Sequence, residues 1–205
     1  MKRLFDIVFS ALGLVVGSLI LLVVAIIIKI SSPGPVLFRQ TRVGRYGRSF
    51  RIMKFRTMVV NAEKLGGQIT PTSDPRITPI GRALRKTKLD ELPQLFNVLK
   101  GEMSFVGPRP EVQRYVDLYT EEQRKVLELQ PGVTDPASLR YRDEGAILAK
   151  ASDPNQYYID VVMPDKIRMN TEYAQKATIF TDIGVIFQTI GVLPKPEKAD
   201  YHEVE

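Results

Sequence analysis

From Ile7 to Ile28 no charge interrupts a run made almost entirely of Val, Ile, Leu, Ala, Phe and Gly, and Asp6 and Lys29 bracket it. At helical rise this run is about 33 Å long, enough to match the hydrocarbon layer of a bilayer. It is too long for a signal peptide's apolar region, and no small-residue cleavage site follows. Lys2 and Arg3 precede it, while Lys29, Arg39, Arg42, Arg45, Arg48, Arg51, Lys54 and Arg56 follow, so both flanks carry charge that membranes keep on the cytoplasmic side. A helix that dips in and returns satisfies both ends, and Gly13, Gly17 and Ser18 permit the bend; a straight span is the alternative.

Past Ser31-Ser32-Pro33-Gly34-Pro35 the period changes. Val36 to Val43 and Phe50 to Met58 are β-branched or aromatic runs around Gly44-Arg45-Tyr46-Gly47, which predicts a β-hairpin. Short helices are expected over Val59 to Lys64 and Ile80 to Lys86, with a proline-bearing loop from Gly66 to Pro79 that is a candidate lid. Leu89, Leu92, Leu95, Phe96 and Leu99 recur at helical spacing. Pro93 is tolerated only in a first turn, so this helix should start near Asp90 and Glu91 and stop at Gly101. Val106-Gly107-Pro108-Arg109-Pro110 follows as a rigid turn. Beyond it, Glu111 to Glu128 reads as one charged amphipathic helix, Tyr157 to Ala177 as helix-rich, and Ile179 to Leu193 as an interfacial amphipathic helix.

A chain of 205 residues holds one domain's worth of core. With no cysteine there are no disulfides, thiolate nucleophiles or Cys-type zinc sites, and the single histidine, His202, in a polar tail, excludes Ser-His-Asp chemistry. A net charge of +6 fits nucleic acid, an anionic membrane face or phosphorylated substrates. No nucleic-acid module is recognisable, and the apolar N-terminus argues against that partner.

The chemistry concentrates at Asp90 and Glu91. Two adjacent carboxylates at the positive end of a helix are favoured in ionised form. With Arg109 fixed between two prolines and basic residues upstream, they suit a metal and a phosphate-bearing substrate. The plainer possibility is an ordinary helix cap.

The wider sequence weighs against a cap alone. Asp74-Pro75-Arg76-Ile77-Thr78, Gly81, Leu84-Arg85, Leu89-Asp90-Glu91-Leu92-Pro93-Gln94-Leu95, Asn97-Val98-Leu99-Lys100-Gly101 and Met103-Ser104-Phe105-Val106-Gly107-Pro108-Arg109-Pro110 together resemble the bacterial sugar transferases, the monotopic phosphoglycosyl transferases. The resemblance runs from Lys2 through Pro131-Gly132-Val133-Thr134 and is more diffuse after that. Asp135 to Tyr141 departs from the family's usual continuation, and Ser18-Leu19 stands where many members have Ser-Pro.

That resemblance implies transfer of a sugar phosphate from a UDP-sugar to polyprenyl phosphate, releasing UMP, as a first membrane step in a bacterial glycoconjugate pathway. It implies Asp90 as nucleophile, Glu91 as the main Mg²⁺ ligand, and Lys54, Arg85 and Arg109 as phosphate-binding groups. The expected fold is α+β and predominantly helical: a re-entrant membrane helix over residues 1–30, then a catalytic domain over 31–205 at the cytoplasmic face of the inner membrane, with a small hairpin and interfacial amphipathic helices. Membrane lipid is an expected partner, and downstream glycosyltransferases are possible ones. A catalytically silent membrane adaptor with a basic face, and a plain nucleotide-sugar hydrolase, are the alternatives.

Overall fold

In the computed structural model, which describes residues 1–65 and 74–201, the apolar N-terminal run forms two helices. α1 (Lys2–Val16) and α2 (Ser18–Ser31) meet at Gly17 with a bend of 60°. Among the described residues no single helix is long and apolar enough to cross a bilayer; the bent pair qualifies only as a pair. The bend falls at Gly17 because its α-carbon closes on the preceding turn: a Cβ there would lie 2.7 Å from the Gly13 carbonyl oxygen.

Both ends of this pair are fastened to the same body. Lys2 donates to the Val106 carbonyl at 2.9 Å and pairs with Asp182, and Asp6 accepts from Ser104 Oγ at 3.1 Å and the Phe105 amide at 3.2 Å. Arg3 donates to the Val98 and Leu99 carbonyls at 2.5 and 2.8 Å, satisfying the end of a helix that lacks internal partners there. At the exit from α2, Arg56 donates to the Pro33 carbonyl and, at 2.9 Å, to both Ser32 O and Ser32 Oγ. Lys2, Arg3 and Arg56 are therefore structural ties as well as flanking charge.

The hairpin forms as expected. β1 (Leu37–Val43) pairs antiparallel with β2 (Ser49–Phe55), in register from Leu37 opposite Phe55 to Val43 opposite Ser49. The turn needs positive φ at Tyr46 (56°) and Gly47 (73°). One helical turn, Ala62–Leu65, stands for the longer helix expected over Val59 to Lys64. Most of the candidate lid, residues 66–73, lies outside the described residues, as does His202. α3 (Pro79–Thr87) starts where the Thr78 side chain accepts from the Gly81 amide at 3.0 Å.

The predicted helix beginning at Asp90 is corrected. Lys88 takes a left-handed φ of 59°, which ends α3, and Leu89–Glu91 forms a separate 3-10 turn. α4 (Gln94–Lys100) begins only after Pro93 and stops at Gly101 in the left-handed region, φ 86°. The acidic pair thus sits on a tight turn between two helices.

Two three-residue strands, β3 (Ser104–Val106) and β4 (Gly132–Thr134), pair in parallel and bring two distant motifs together. Gly107 and Gly132 cross at backbone contact: a Cβ on Gly132 would lie 2.2 Å from the Gly107 nitrogen.

The single helix expected over Glu111 to Glu128 is also corrected. It breaks into the turns Gln113–Val116, Glu121–Arg124 and Lys125–Glu128, because Thr120 and Gln123 form a reciprocal capping box that starts a new helix. Tyr115, Val116 and Tyr119 are buried as their spacing predicts, whereas Leu118 is exposed. The departure at Asp135 is a helix start: buried Asp135 accepts from Ser138 N at 2.9 Å and Ser138 Oγ at 2.5 Å, capping α5 (Pro136–Arg140). From Pro154 a helix runs on to Lys176, with a π turn at Tyr158–Val162 just ahead of Pro164, which has no N–H to give an ordinary ladder. Its last part is α6 (Met163–Lys176). α7 (Ile179–Thr189) buries Asp182 and Val185 but leaves Phe180, Phe187 and, just beyond it, Ile190, Val192 and Leu193 exposed. With two short strand pairs among helices, the architecture is α+β and predominantly helical.

Candidate active site

Glu91 is the hub of the site. Lys54, near the end of β2, donates to its Oε1 at 2.9 Å, and Arg109 donates to the same oxygen at 2.7 Å and lies 3.5 Å from Oε2. The β3–β4 pairing carries Arg109 across to the 3-10 turn, and the hairpin carries Lys54 there from the other side. Three residues separated by up to 55 positions thereby form one half-buried cluster.

Asp90 is different. It is 6 % exposed, and its Oδ1 has no hydrogen-bond partner among the described residues, although Lys54, Lys88 and Arg85 act on it through charge. A helix-capping Asp would accept from backbone N–H groups, and the 3-10 turn has no such cap. Gln94, one turn further on and fully buried, likewise leaves both amide atoms without a partner among the described residues. Unsatisfied buried polar atoms are costly, and their gathering at one spot marks a place organised for something other than stability.

The two carboxyls are driven apart electrostatically. Burial, then the neighbouring Glu91 charge, pushes Asp90 up from its ordinary value. Burial would also raise Glu91, but Arg109 and Lys54 outweigh it and hold Glu91 well below the usual range. Glu91 is therefore a fixed anion, and Asp90 is a more basic carboxylate with an open lone pair. Such a separation is how neighbouring carboxylates take distinct roles.

Arg85, on α3, is brought beside this cluster without touching either carboxylate. Its Nε donates to Thr57 Oγ1 at 2.9 Å, which fixes the guanidinium near Asp90. The Thr57 carbonyl in turn accepts from the Thr78 amide at 3.0 Å, and a Cβ on Gly81 would fall 2.0 Å from it, so β2, the start of α3 and Arg85 are locked as one unit. Thr57, Gln94 and Lys88 escape sequence reasoning, since nothing in their type or spacing separates them from core or surface positions. Asp74, bound through both oxygens by Arg76 at 2.6 to 3.1 Å, braces the segment leading into α3.

Burial, with the Arg109 charge, lowers Lys54 from 10.5 to about 8. Below that pH Lys54 is a cation; above it the group is neutral and attracts phosphate poorly. Affinity for pyrophosphate, used as an anionic probe, is expected to fall as pH rises through about 8, and Lys54→Arg is expected to remove that inflection, because Arg does not titrate there. Titration calorimetry from pH 7 to 9 on both proteins reads this. The unfolded chain binds the Lys54 proton more tightly than the folded one, so this group's contribution to stability rises with pH across the same range and up to 10.5.

An apolar, bent helical pair is locked onto a domain whose centre is a carboxylate pair ringed by cations, an arrangement whose charge suits anionic ligands. The chain belongs to the bacterial sugar transferase family, whose model matches residues 1–195. It is 37 % identical over 194 residues to a UDP-N-acetylgalactosamine-undecaprenyl-phosphate N-acetylgalactosaminephosphotransferase of Aeromonas hydrophila, covering 92 % of this chain and 42 % of that protein. It is 38 % identical over 199 residues to the UDP-glucose:undecaprenyl-phosphate glucose-1-phosphate transferase of Escherichia coli, covering 93 % of this chain and 39 % of that one. The chain therefore spans about two fifths of the length of these two relatives. Against the exopolysaccharide production protein ExoY of Rhizobium meliloti it is 32 % identical, covering 92 % of this chain and 83 % of the relative.

Proposed function

We propose that this protein transfers a sugar 1-phosphate from a UDP-sugar to membrane polyprenyl phosphate, with release of UMP. The observation that carries the reading is the partnerless, buried Asp90 beside the permanently ionised Glu91, in a ring of Lys54, Arg85 and Arg109. Names of relatives that act between UDP-sugars and undecaprenyl phosphate support the same reading.

Asp90 attacks the β-phosphorus of the donor; the bond to the bridging oxygen breaks, UMP leaves, and the sugar phosphate remains on the carboxylate as an acyl phosphate. Polyprenyl phosphate then attacks that phosphorus and restores Asp90. Dividing the reaction lets one anion be placed at a time, in a site whose cations offset the charge of each. Arg109 and Arg85 hold phosphate oxygens through planar forks, and Lys54 adds a point charge.

Mg²⁺ fits this donor set. Among the described residues no group of three or more His, Asp or Glu could hold an ion unaided, but Mg²⁺ takes one or two carboxylates and completes its shell with phosphate and water. Glu91, ionised and with Oε2 the less engaged oxygen, would be the main ligand, beside the unpartnered Oδ1 of Asp90. The ion supplies neutralisation of the diphosphate.

The α1–α2 pair enters the membrane and returns on the cytoplasmic face. A crossing would place Lys2 and Ser32 on opposite surfaces, yet both are bonded to the same domain. The exposed apolar residues at the end of α7 lie in the interface.

UMP release is measured on detergent-solubilised protein with a panel of UDP-sugars and Mg²⁺, with and without polyprenyl phosphate. Lipid-dependent release is expected; release indifferent to lipid would make the protein a hydrolase, and none from any donor would leave an adaptor. Because the chain has no cysteine, single cysteines at the exposed Leu4 and Arg48 report topology cleanly. Both are expected to react with an impermeant maleimide in inside-out vesicles and neither in right-side-out ones. Labelling of the two from opposite sides would establish a straight span.

A further inference from the structure

Charge is divided unevenly along the chain: up to Pro110 it carries 18 basic and 6 acidic residues, and beyond that point 11 and 17. The half that bears the apolar pair is therefore the cationic one. Several of its cations are engaged inside the fold, Arg42 and Arg45 by the Pro110 and Glu128 carbonyls at 3.1 and 2.7 Å, and Arg56 by Ser32 and Pro33. The hairpin meets α2 at its other end, through Leu37 and Phe55, so its basic tip stands about 20 Å from that contact.

α3 is placed differently. Ile80 and Leu84, one turn apart, pack with Val24 and Ile28 of α2 in one apolar cluster. Val24 lies about two turns before the end of α2 at Ser31, a distance of about 10 Å along the axis, so α3 runs beside the stretch where the apolar pair emerges. Arg82 and Lys86, also one turn apart, are each two residues from Leu84 and so fall on the opposite face. Both are exposed and make no hydrogen bond or ion pair among the described residues, and the same holds for Lys29 in the last turn of α2. The region exposes apolar side chains as well: Ile30 next to Lys29, and Val60, whose Cγ2 would lie 2.6 Å from a Cβ on Gly34 just past α2. Cations mixed with apolar groups at the exit of an inserted helix match the headgroup layer of a bilayer.

We propose that Lys29, Arg82 and Lys86 form a docking surface for anionic phospholipid headgroups, which it selects over zwitterionic ones at the exit of α2. The proposal rests on the reading that the α1–α2 pair enters the bilayer and is independent of the transfer reaction. Charges spread over the outer face of a helix do not enclose one small anion, whereas a bilayer presents a headgroup to each. Asp90 follows Lys86 by one turn's worth of chain, so headgroups gathered on α3 hold the acidic turn at the membrane surface.

The chain has no tryptophan, so one introduced Trp at a time reports cleanly. Ala83→Trp, at an exposed position between Arg82 and Lys86, is made in the full-length protein and reconstituted into mixed bilayers of phosphatidylcholine and phosphatidylglycerol, one or the other carrying brominated chains that quench indole fluorescence on contact. Val16→Trp, beside the bend, reports insertion of the pair. At Ala83→Trp, phosphatidylglycerol is expected to out-compete phosphatidylcholine by about fivefold or more, the effect of roughly one charge at a bilayer surface. Raising NaCl from about 0.05 to about 0.5 M should bring the preference to about twofold or less. Adding Arg82→Glu and Lys86→Glu should abolish it, whereas Arg48→Glu with Lys125→Glu, the same change of charge around the hairpin tip, should leave it intact; melting temperatures show that both are folded. Absence of a preference, absence of quenching by either lipid at Ala83→Trp, or a preference lost equally with both charge-reversed pairs would overturn the docking surface. So would a preference abolished by millimolar pyrophosphate at constant ionic strength, which would make this a soluble-anion site. If Val16→Trp is quenched and Ala83→Trp shows no preference, only the headgroup surface is lost; if Val16→Trp is not quenched, the membrane reading of the pair falls with it.

Discussion

Asp90→Asn is expected to cut UMP release by about a thousandfold or more while leaving melting temperature and membrane association unchanged or slightly improved. The amide has the shape of the carboxylate but no lone pair able to displace UMP. On the stability side the native residue is the costly one. It buries a carboxyl group whose Oδ1 lacks a hydrogen-bond donor among the described residues, with only charge at a distance to offset burial. A structural role gives the opposite forecast: Asn caps helices about as well as Asp, so a cap would tolerate the change without loss of activity. Substantial residual turnover would sink the nucleophile assignment. Glu91→Gln is a poorer probe, since it leaves Lys54 and Arg109 without their carboxylate in a half-buried cluster and mixes a folding defect with a catalytic one.

Gly132→Ala is expected to be among the most damaging small substitutions, destabilising by about 3 kcal/mol or more. Its Cβ would lie 2.2 Å from the Gly107 nitrogen and 2.5 Å from the Gly107 carbonyl oxygen, both backbone atoms of a paired strand end that cannot step aside. Relief requires β3 and β4 to separate, and with them the turn that carries Arg109 to Glu91. Loss of UDP affinity should therefore accompany loss of stability. Gly184→Ala is the control. It lies inside α7 with nothing within 4 Å of an added Cβ, so replacing it should stabilise the helix by about 1 kcal/mol. Equal effects of the two substitutions in denaturant melts would contradict the backbone crossing.

Much of the architecture was legible because its signals are local. An uncharged run flanked by basic residues, alternation around Gly44–Gly47, and Gly101 after an apolar stripe each report on neighbours within a few positions. The helix start near Asp90 was misplaced because the left-handed Lys88 leaves no mark in composition, and Lys is not a residue type that announces positive φ. The strands β3 and β4 went unseen because three residues are too few to show a period.

The sequence by itself determined the family, the apolar bent pair, the basic balance, and the residues 54, 85, 90, 91 and 109 as candidates, since residue type and motif order hold that information. Only the tertiary structure decided that Lys54 and Arg109 both close on one oxygen of Glu91, that Asp90 Oδ1 is left without a donor, and that both ends of the apolar pair are tied to one domain. Those facts depend on distances between groups up to 180 positions apart, such as Lys2 and Asp182. Burial and field are set by what the fold places around a side chain, so they appear only once distant segments have been brought together.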